Sequence, residues 1–540
     1  MKKILMTIAG REPKSQIGKL KTMRKNFLLM AMTIMVLGFT ACSSDDNDNN
    51  PQTEPGKEQA EYTIMYYTGG AGDIDSIMLG TLGDFYKANP EVYKKVNVVV
   101  QFKYSTAEKL SKSSLGERGS EFCTTFGSKT LRWTVDPCKN ANQEATDPGN
   151  IYGADNADIT RADSLTNFIN WAARKCPAKK YMLIIADHGG GYIPAGDLPE
   201  TETSRATRGL LADDGHNRKT LSVQSLSRGI KNANVRLETV YMLACMMNNM
   251  EYQFELKDLC DYVIASTYLM PDNGGVMDVL VEQLSQPNVD IEHALDEYIK
   301  ADVKSWESVI ENPESTVCYT DLTLTRTANI NKLGTLMRQF VDRLCDTYTN
   351  GTEAQKQAID SCTARAVKVQ ENYPYYDVAK YMSSIMSALP EVYDVSFCHQ
   401  MEETFNSCIA AQYYSTYLTV HHYMVDYSVL LGASGAHNFL MWNTDQETGV
   451  MTPTTGTLFT DDGEKYAFAL VPTDNPQSYK MENMTLIGNW GGTLANTYEQ
   501  LAFDKAVGWS RWLRLNRQWP NIFCPSGLQF ELPSADASVQ

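Results

Sequence analysis

One stretch constrains this chain more than any other. Tyr181 to Ile185 reads YMLII, and Ala186, Asp187, His188 and the glycines Gly189, Gly190 and Gly191 follow it. A strand with one wet face alternates apolar and polar residues, so a run without alternation predicts a strand covered on both faces, in a parallel sheet flanked by helices. The predicted fold class is therefore α/β. His188 falls at the carboxyl end of that strand, the edge of an open sheet where connecting loops converge on ligands. The three glycines let backbone approach a substrate and turn N–H groups towards it.

A second strand of the same kind ends in a different reactive group. Val240 to Ala244 (VYMLA) leads into Cys245, about 57 residues after His188, with room between for a helical crossover. Two neighbouring parallel strands would then present His188 and Cys245 side by side. That pairing suits nucleophilic catalysis, because the thiolate attacks and imidazole takes and returns the proton. Met246 to Asp258 reads as a helix, which would put Cys245 at a helix amino terminus and favour its thiolate. The backbone N–H groups of Gly189 and Cys245 are the natural oxyanion donors.

The segments DHGGGY and LACMMNNMEYQFELKDLCDYVIAS resemble the two signature blocks of the clostripain family of cysteine peptidases, relatives of caspases, legumain and gingipains. The likeness extends to EYTIMYYTGGAGDID and VNVVVQF upstream and to YEQLAFDKAVGWSRWLRLNRQWP downstream. The resemblance implies a caspase-like, mostly parallel sheet flanked by helices, a His188/Cys245 dyad, and endopeptidase activity after a basic residue. It also implies self-cleavage between His188 and Cys245, where the polar segment Pro199–Gly209 offers Arg205 and Arg208. One position departs from the family pattern. Most relatives carry Asp two residues before the cysteine, where it helps hold the basic side chain, and here Leu243 stands instead. Asp272, in the following loop, is the candidate replacement anion. Protein or peptide substrates are the expected partners.

The remaining sequence sets the surroundings. With 65 acidic against 48 basic residues, a net charge of -17 argues against nucleic acid as a partner, since phosphate binding needs a basic face. Arg24 and Lys25 precede Phe27–Phe39, an apolar stretch too short to span a bilayer, and Thr40-Ala41-Cys42 resembles a lipobox. Residues 1–42 thus read as a signal peptide with Cys42 as the lipidated residue, and Met23 is the better start. Residues 43–60 read as a disordered acidic linker. An acidic stretch at this place resembles the export signal of Bacteroidetes surface lipoproteins and implies an outer-membrane lipoprotein exposed at the cell surface, its membrane contact being the lipid.

Residues 61–310 are assigned to the peptidase domain and 311–540 to a helical and mixed carboxyl-terminal domain. Asp163 is the expected cap of a helix over Asp163–Arg174. The glycine loop after Tyr67 lacks phosphate-loop spacing and reads as a plain strand-to-helix turn. Asp213 and Asp214 read as a solvated turn in preference to a calcium site. No cofactor is expected in the chemistry and no metal-ligand set is assigned; calcium stays open as a structural ion, as in some relatives. Cys123 and Cys138 flank an expected hairpin and are open to pairing; the other scattered cysteines read as free thiols. His421 and His422 are neighbours on an expected strand and face opposite sides, which argues against a shared metal. The competing function is a surface lipoprotein that keeps the peptidase fold as a non-catalytic binding or adhesion module.

Overall fold

The computed structural model describes residues 59–192, 209–216, 219–271, 275–310, 320–364, 366, 375–415, 430–432, 438–444, 451–459, 464–472, 474, 478–489, 499–515 and 529–531. Their strands begin with β1 (Ala60–Gly69), β2 (Val96–Lys103), β3 (Thr130–Thr134), β4 (Ala178–Ala186), β5 (Leu210–Asp213) and β6 (Lys219–Leu221). Next come β7 (Thr239–Leu243), β8 (Tyr262–Ala265), β9 (Asp321–Arg326), β10 (Tyr375–Asp377) and β11 (Ile409–Tyr414). Eight of these form one sheet in the order β11-β9-β8-β7-β4-β1-β2-β3. The five from β8 to β2 in that order run parallel, and β3, β9 and β11 pair antiparallel at the two ends. The α/β expectation is met.

The lack of alternation in the strands has the predicted cause. Met65, Tyr67, Leu183, Ile185, Val240 and Met242 point into one apolar cluster, beneath the helices Ala162–Lys175 and Val223–Lys231. Tyr66, Met182, Ile184, Tyr241 and Leu243 point into the other, beneath the helices Asp75–Phe85, Met277–Leu284 and Ile291–Ile310. Each large apolar side chain fully buried this way contributes about 1.5–3 kcal/mol relative to exposure, so neither face tolerates polar alternation.

The sheet and its first cluster continue past residue 310. β9 and β11 extend the sheet, while the helices Ile330–Asn350, Val378–Ala388 and Val395–Cys408 contribute Phe340, Tyr381 and Phe405 to the cluster that holds Leu183. A separate five-stranded sheet comprises 438–444, 451–459, 464–472, 478–489 and 529–531.

Several local expectations need correction. The Ala162–Lys175 helix has Arg161 at its N-cap, and Asp163 lies in its first turn, where a carboxylate still favours the positive end of the helix dipole. β3 pairs with β2 and so forms no local hairpin between Cys123 and Cys138, which are both free thiols, one buried and one exposed. The stretch YEQLAFDKAVGWSRWLRLNRQWP carries two helices within the described residues, Ala502–Val507 and Trp509–Leu515, separated by Gly508 at φ 74°. His421 and His422 lie outside the described residues.

Candidate active site

The strand order brings four loops to one edge. β1, β4, β7 and β8 are parallel neighbours in the order β8-β7-β4-β1, so the loops after their carboxyl ends lie side by side. Those loops carry Asp73, His188, Cys245 and Met270. The second and third pack backbone against backbone. A Cβ placed on Gly189 would lie 2.2 Å from the carbonyl oxygen of Cys245 and 2.7 Å from its nitrogen, so only glycine lets the two backbones touch.

Backbone bonds fix the path beyond His188. Gly190 N–H donates to the carbonyl of Gly209 at 3.0 Å, and Leu211 N–H to that of His188 at 3.1 Å, so Gly189 bridges Leu210. Gly189 N–H takes no part in this ladder. The buried Asp187 accepts from the amides of His188 (2.5 Å) and Ala212 (3.4 Å), and burial pushes its carboxyl up to about 8.

The imidazole reaches the first loop. His188 Nε2 lies 3.1 Å from Asp73 Oδ1, the side chains being 27% and 54% exposed. Asp73 escapes a reading of single strands, because its loop meets His188 only through the adjacency of β1 and β4. The glycine cluster at the end of β1 is the signal that marks it. Gly69 sits at φ 97°, and a Cβ there would lie 2.2 Å from the Lys103 carbonyl, so the loop leaves β1 along a path open only to glycine.

Around Cys245 the structure differs from expectation. The following helix is Met250–Leu256, capped by Asn249, whose side chain accepts from Tyr252 N–H at 3.2 Å. The four intervening residues run as a turn with Met246 at φ 60°, tied to the next loop by Met246 N–H to Tyr268 O (2.8 Å) and Asn248 N–H to Ser266 O (2.9 Å). Cys245 is thus not at a helix amino terminus. A different donor serves it: Met270 N–H lies 3.1 Å from Sγ. The carbonyl of the same residue lies 3.9 Å from Sγ, so Met270 offers the sulfur both a donor and an acceptor. β9 holds this loop, since buried Asp321 accepts from the amides of Thr267 (2.9 Å) and Tyr268 (2.8 Å) and from the hydroxyl of Ser266 (3.0 Å).

Leu243 is only 4% exposed and packs in the cluster of Tyr241, Met277 and Tyr298, leaving little of its surface to line a pocket. Asp272, Arg205, Arg208 and Cys42 lie outside the described residues.

Asp213 and Asp214 are not a solvated turn. Both are buried; Lys103 Nζ lies 2.7 Å from both oxygens of Asp213, and Lys109 Nζ 2.6 Å from Asp214 Oδ1. Adjacent carboxylates survive burial here because each meets an ammonium from the β2 side, more than one hundred residues earlier. Asp158, Asp213 and His216 bring potential ligand atoms within 4.8 Å of one another. Lys103 already supplies the cation at Asp213, so this set does not fit a calcium ion.

A model of the clostripain family matches residues 135–513. No curated protein matches the chain. Among solved structures, the chain is similar to a secreted cysteine protease from Bacteroides thetaiotaomicron, with 17% identity, 66% of this chain and 87% of that one covered, and a TM-score of 0.46. It is also similar to a secreted cysteine protease of that organism in complex with an irreversible peptide inhibitor, with 14% identity, 83% and 99% covered, and a TM-score of 0.49. A further likeness is to an inactive zymogen protease from Parabacteroides distasonis, with 11% identity, 83% and 99% covered, and a TM-score of 0.46.

Proposed function

The chain belongs to the clostripain family of cysteine peptidases, and from that premise we propose that it hydrolyses peptide bonds through His188 and Cys245. The contact between Gly189 and the Cys245 backbone carries this reading, because it brings base, nucleophile and two backbone N–H groups to one point on the sheet edge. His188 takes the thiol proton, and Sγ attacks the carbonyl carbon of the scissile bond. Negative charge gathers on the carbonyl oxygen, facing the N–H groups of Gly189 and Cys245. When the carbonyl re-forms, the C–N bond breaks and the imidazolium gives its proton to the departing amine. Water, deprotonated by His188, then attacks the thioester; the C–S bond breaks, and the second product leaves as a carboxylic acid.

Proteins or peptides cut after a basic residue are the proposed substrates, on the family resemblance, with Asp272 as the anion for that side chain. The burial of Leu243 supports assigning the anion elsewhere. Self-processing at Arg205 or Arg208 is part of the same proposal. The Gly209 carbonyl is bonded to the amide of Gly190, which supports the Arg208 alternative, since a cut there would free a segment that starts beside His188. Anchoring by lipid on Cys42, at the outer face of the outer membrane, completes the reading. Fatty-acid incorporation that persists in Cys42→Ser would remove that last part.

Cleavage of a mixed peptide library by the purified protein, beside Cys245→Ala, tests the central claim. Cuts that disappear in the variant, with Arg or Lys before the bond, support it. No cuts from the wild type, even after trypsin treatment of the Pro199–Gly209 segment, would leave a non-catalytic binding module as the function.

A further inference from the structure

We propose that Asp73 is a positioning residue for His188: it holds the ring through Nε2 and thereby leaves Nδ1 to exchange the proton with Cys245. The inference rests on the reading of His188 as base and Cys245 as nucleophile, and it extends that pair to a third group.

The 3.1 Å contact between Nε2 and Asp73 Oδ1 has a chemical consequence. An ionised carboxylate only accepts hydrogen bonds, so it selects the ring form that carries hydrogen on Nε2. In the neutral ring the lone pair then sits on Nδ1, where a base needs it. Once Nδ1 has taken the thiol proton, the ring is cationic and the same contact becomes an ion pair. Asp73 thus holds the resting ring by a hydrogen bond and the charged one more strongly by an ion pair, the differential that assists proton transfer.

The loop that carries Asp73 is fixed from beneath. Buried Asp75 accepts from Gly72 N–H (3.1 Å) with one oxygen and from Ser105 N–H (2.9 Å) with the other, while Asp214 N–H donates to Gly70 O at 2.8 Å. Asp73 N–H itself donates to Ala71 O at 2.7 Å. A half-exposed side chain is therefore mounted on backbone anchored by buried groups, as a group that must hold a fixed direction requires.

Asp187, the other carboxyl beside the ring, is ill suited to the task. It faces the amides of His188 and Ala212, and burial favours its neutral form, so it offers the imidazolium little charge.

The test compares Asp73→Asn and Asp73→Glu with the wild type, His188→Ala and Cys245→Ala in the full chain. Three quantities are read: kcat and KM on a peptide substrate, the rate of Cys245 alkylation by iodoacetamide at neutral pH, and the melting temperature. Asp73→Asn is expected to lower kcat roughly ten- to hundredfold, the scale of one charge-assisted hydrogen bond, with KM nearly unchanged. Alkylation should slow alongside, the melting temperature should hold, and Asp73→Glu should recover part of both rates. Wild-type rates in Asp73→Asn, while Cys245→Ala is inactive, overturn the proposal and leave the two-residue mechanism standing. A kcat loss with unchanged alkylation would put Asp73 on the substrate and also overturn it. Equal losses in the Asn and Glu variants with a lower melting temperature would make its role structural, and the proposal would fall in that case too. Cleavage that survives in both His188→Ala and Cys245→Ala removes the underlying mechanism instead, and the alkylation rate still judges the Asp73 contact.

Discussion

Lys103 and Asp213 meet at 2.7 Å with both side chains fully buried, whereas His188 and Asp73 meet at 3.1 Å with both partly in water. The same glycine loop touches both pairs. A Cβ on Gly69 would strike the Lys103 carbonyl, Gly70 O accepts from Asp214 N–H, and Asp73 lies three residues further on. Burial separates their uses. A charge pair stripped of water leaves a costly orphan when one partner goes, so its effect appears in folding. A pair that keeps its water contributes at most about 1 kcal/mol to folding, so its worth is in orientation. The molecule thus places a buried ionic clamp beneath the loop and a hydrated, orienting one beside His188.

Lys103→Met should have the largest effect. It leaves the Asp213 carboxylate buried with its ammonium gone, and the expected loss is about 3–5 kcal/mol of unfolding free energy, read by urea denaturation. Asp73→Asn should lose less than about 1 kcal/mol in the same assay. The contrast collapses if the two variants denature together. Replacing Asp213 with Leu in the Lys103→Met background should recover part of the loss, since the buried carboxylate is then gone, although His216 Nδ1, 3.0 Å from it, loses that acceptor.

Leu243 carries the same contrast to within two residues of Cys245. Leu243→Ala removes a buried side chain from the cluster of Tyr241 and Tyr298, and about 2–5 kcal/mol of stability should go with it. The preferred residue before the scissile bond should not change. A shift in that preference at constant stability would return Leu243 to the pocket wall and blur the line between core and site.

Gly189→Ala sharpens the comparison from the other side. The added methyl would lie 2.2 Å from the Cys245 carbonyl, so the two strand ends must separate by something near 1 Å. Misplacement of that size costs about a hundredfold in rate. Wild-type kcat/KM in this variant would mean that the contact between the loops does not set the reaction geometry.

What could be read from the sequence was whatever a single strand declares. YMLII and VYMLA named central strands because both faces are covered, and His188 and Cys245 followed as the residues at their ends. Asp73 was hidden because its importance depends on which strand lies beside β4, and strand order is not written in one strand's pattern. Asp213 and Asp214 misled for a related reason. Two adjacent acids look solvated until Lys103, at the end of VNVVVQFK, is seen to lie against them. After Cys245, MMNN continued the helical pattern by composition, yet Asn249 caps the helix and delays its start to Met250.

The last effect shows itself only as pH changes, at a buried carboxyl that has no basic partner among the described ion pairs. Asp302, on the helix Ile291–Ile310, is fully buried, and among the described ion pairs it has none. Burial holds its carboxyl up to about 7, although the Trp306 indole and the amides of Val276 and Gly275 oppose that shift. An unfolded chain ionises this group near pH 4, while the folded chain keeps the proton until about 7. Across that window the folded state binds more protons than the unfolded one, so this group makes unfolding free energy fall as pH rises. Asp302→Asn removes its share of the slope. The variant should therefore gain stability relative to the wild type between about pH 4.5 and about pH 7.5, measured as the difference of two urea curves at each pH. Asp187 and Asp75, raised by burial to about 8 and about 6, act in the same direction and remain in both proteins, so the wild-type slope should shrink without vanishing. A flat difference would mean that Asp302 ionises in the folded chain as readily as in water, and that burial without a partner costs less here than the contrast with Asp213 implies.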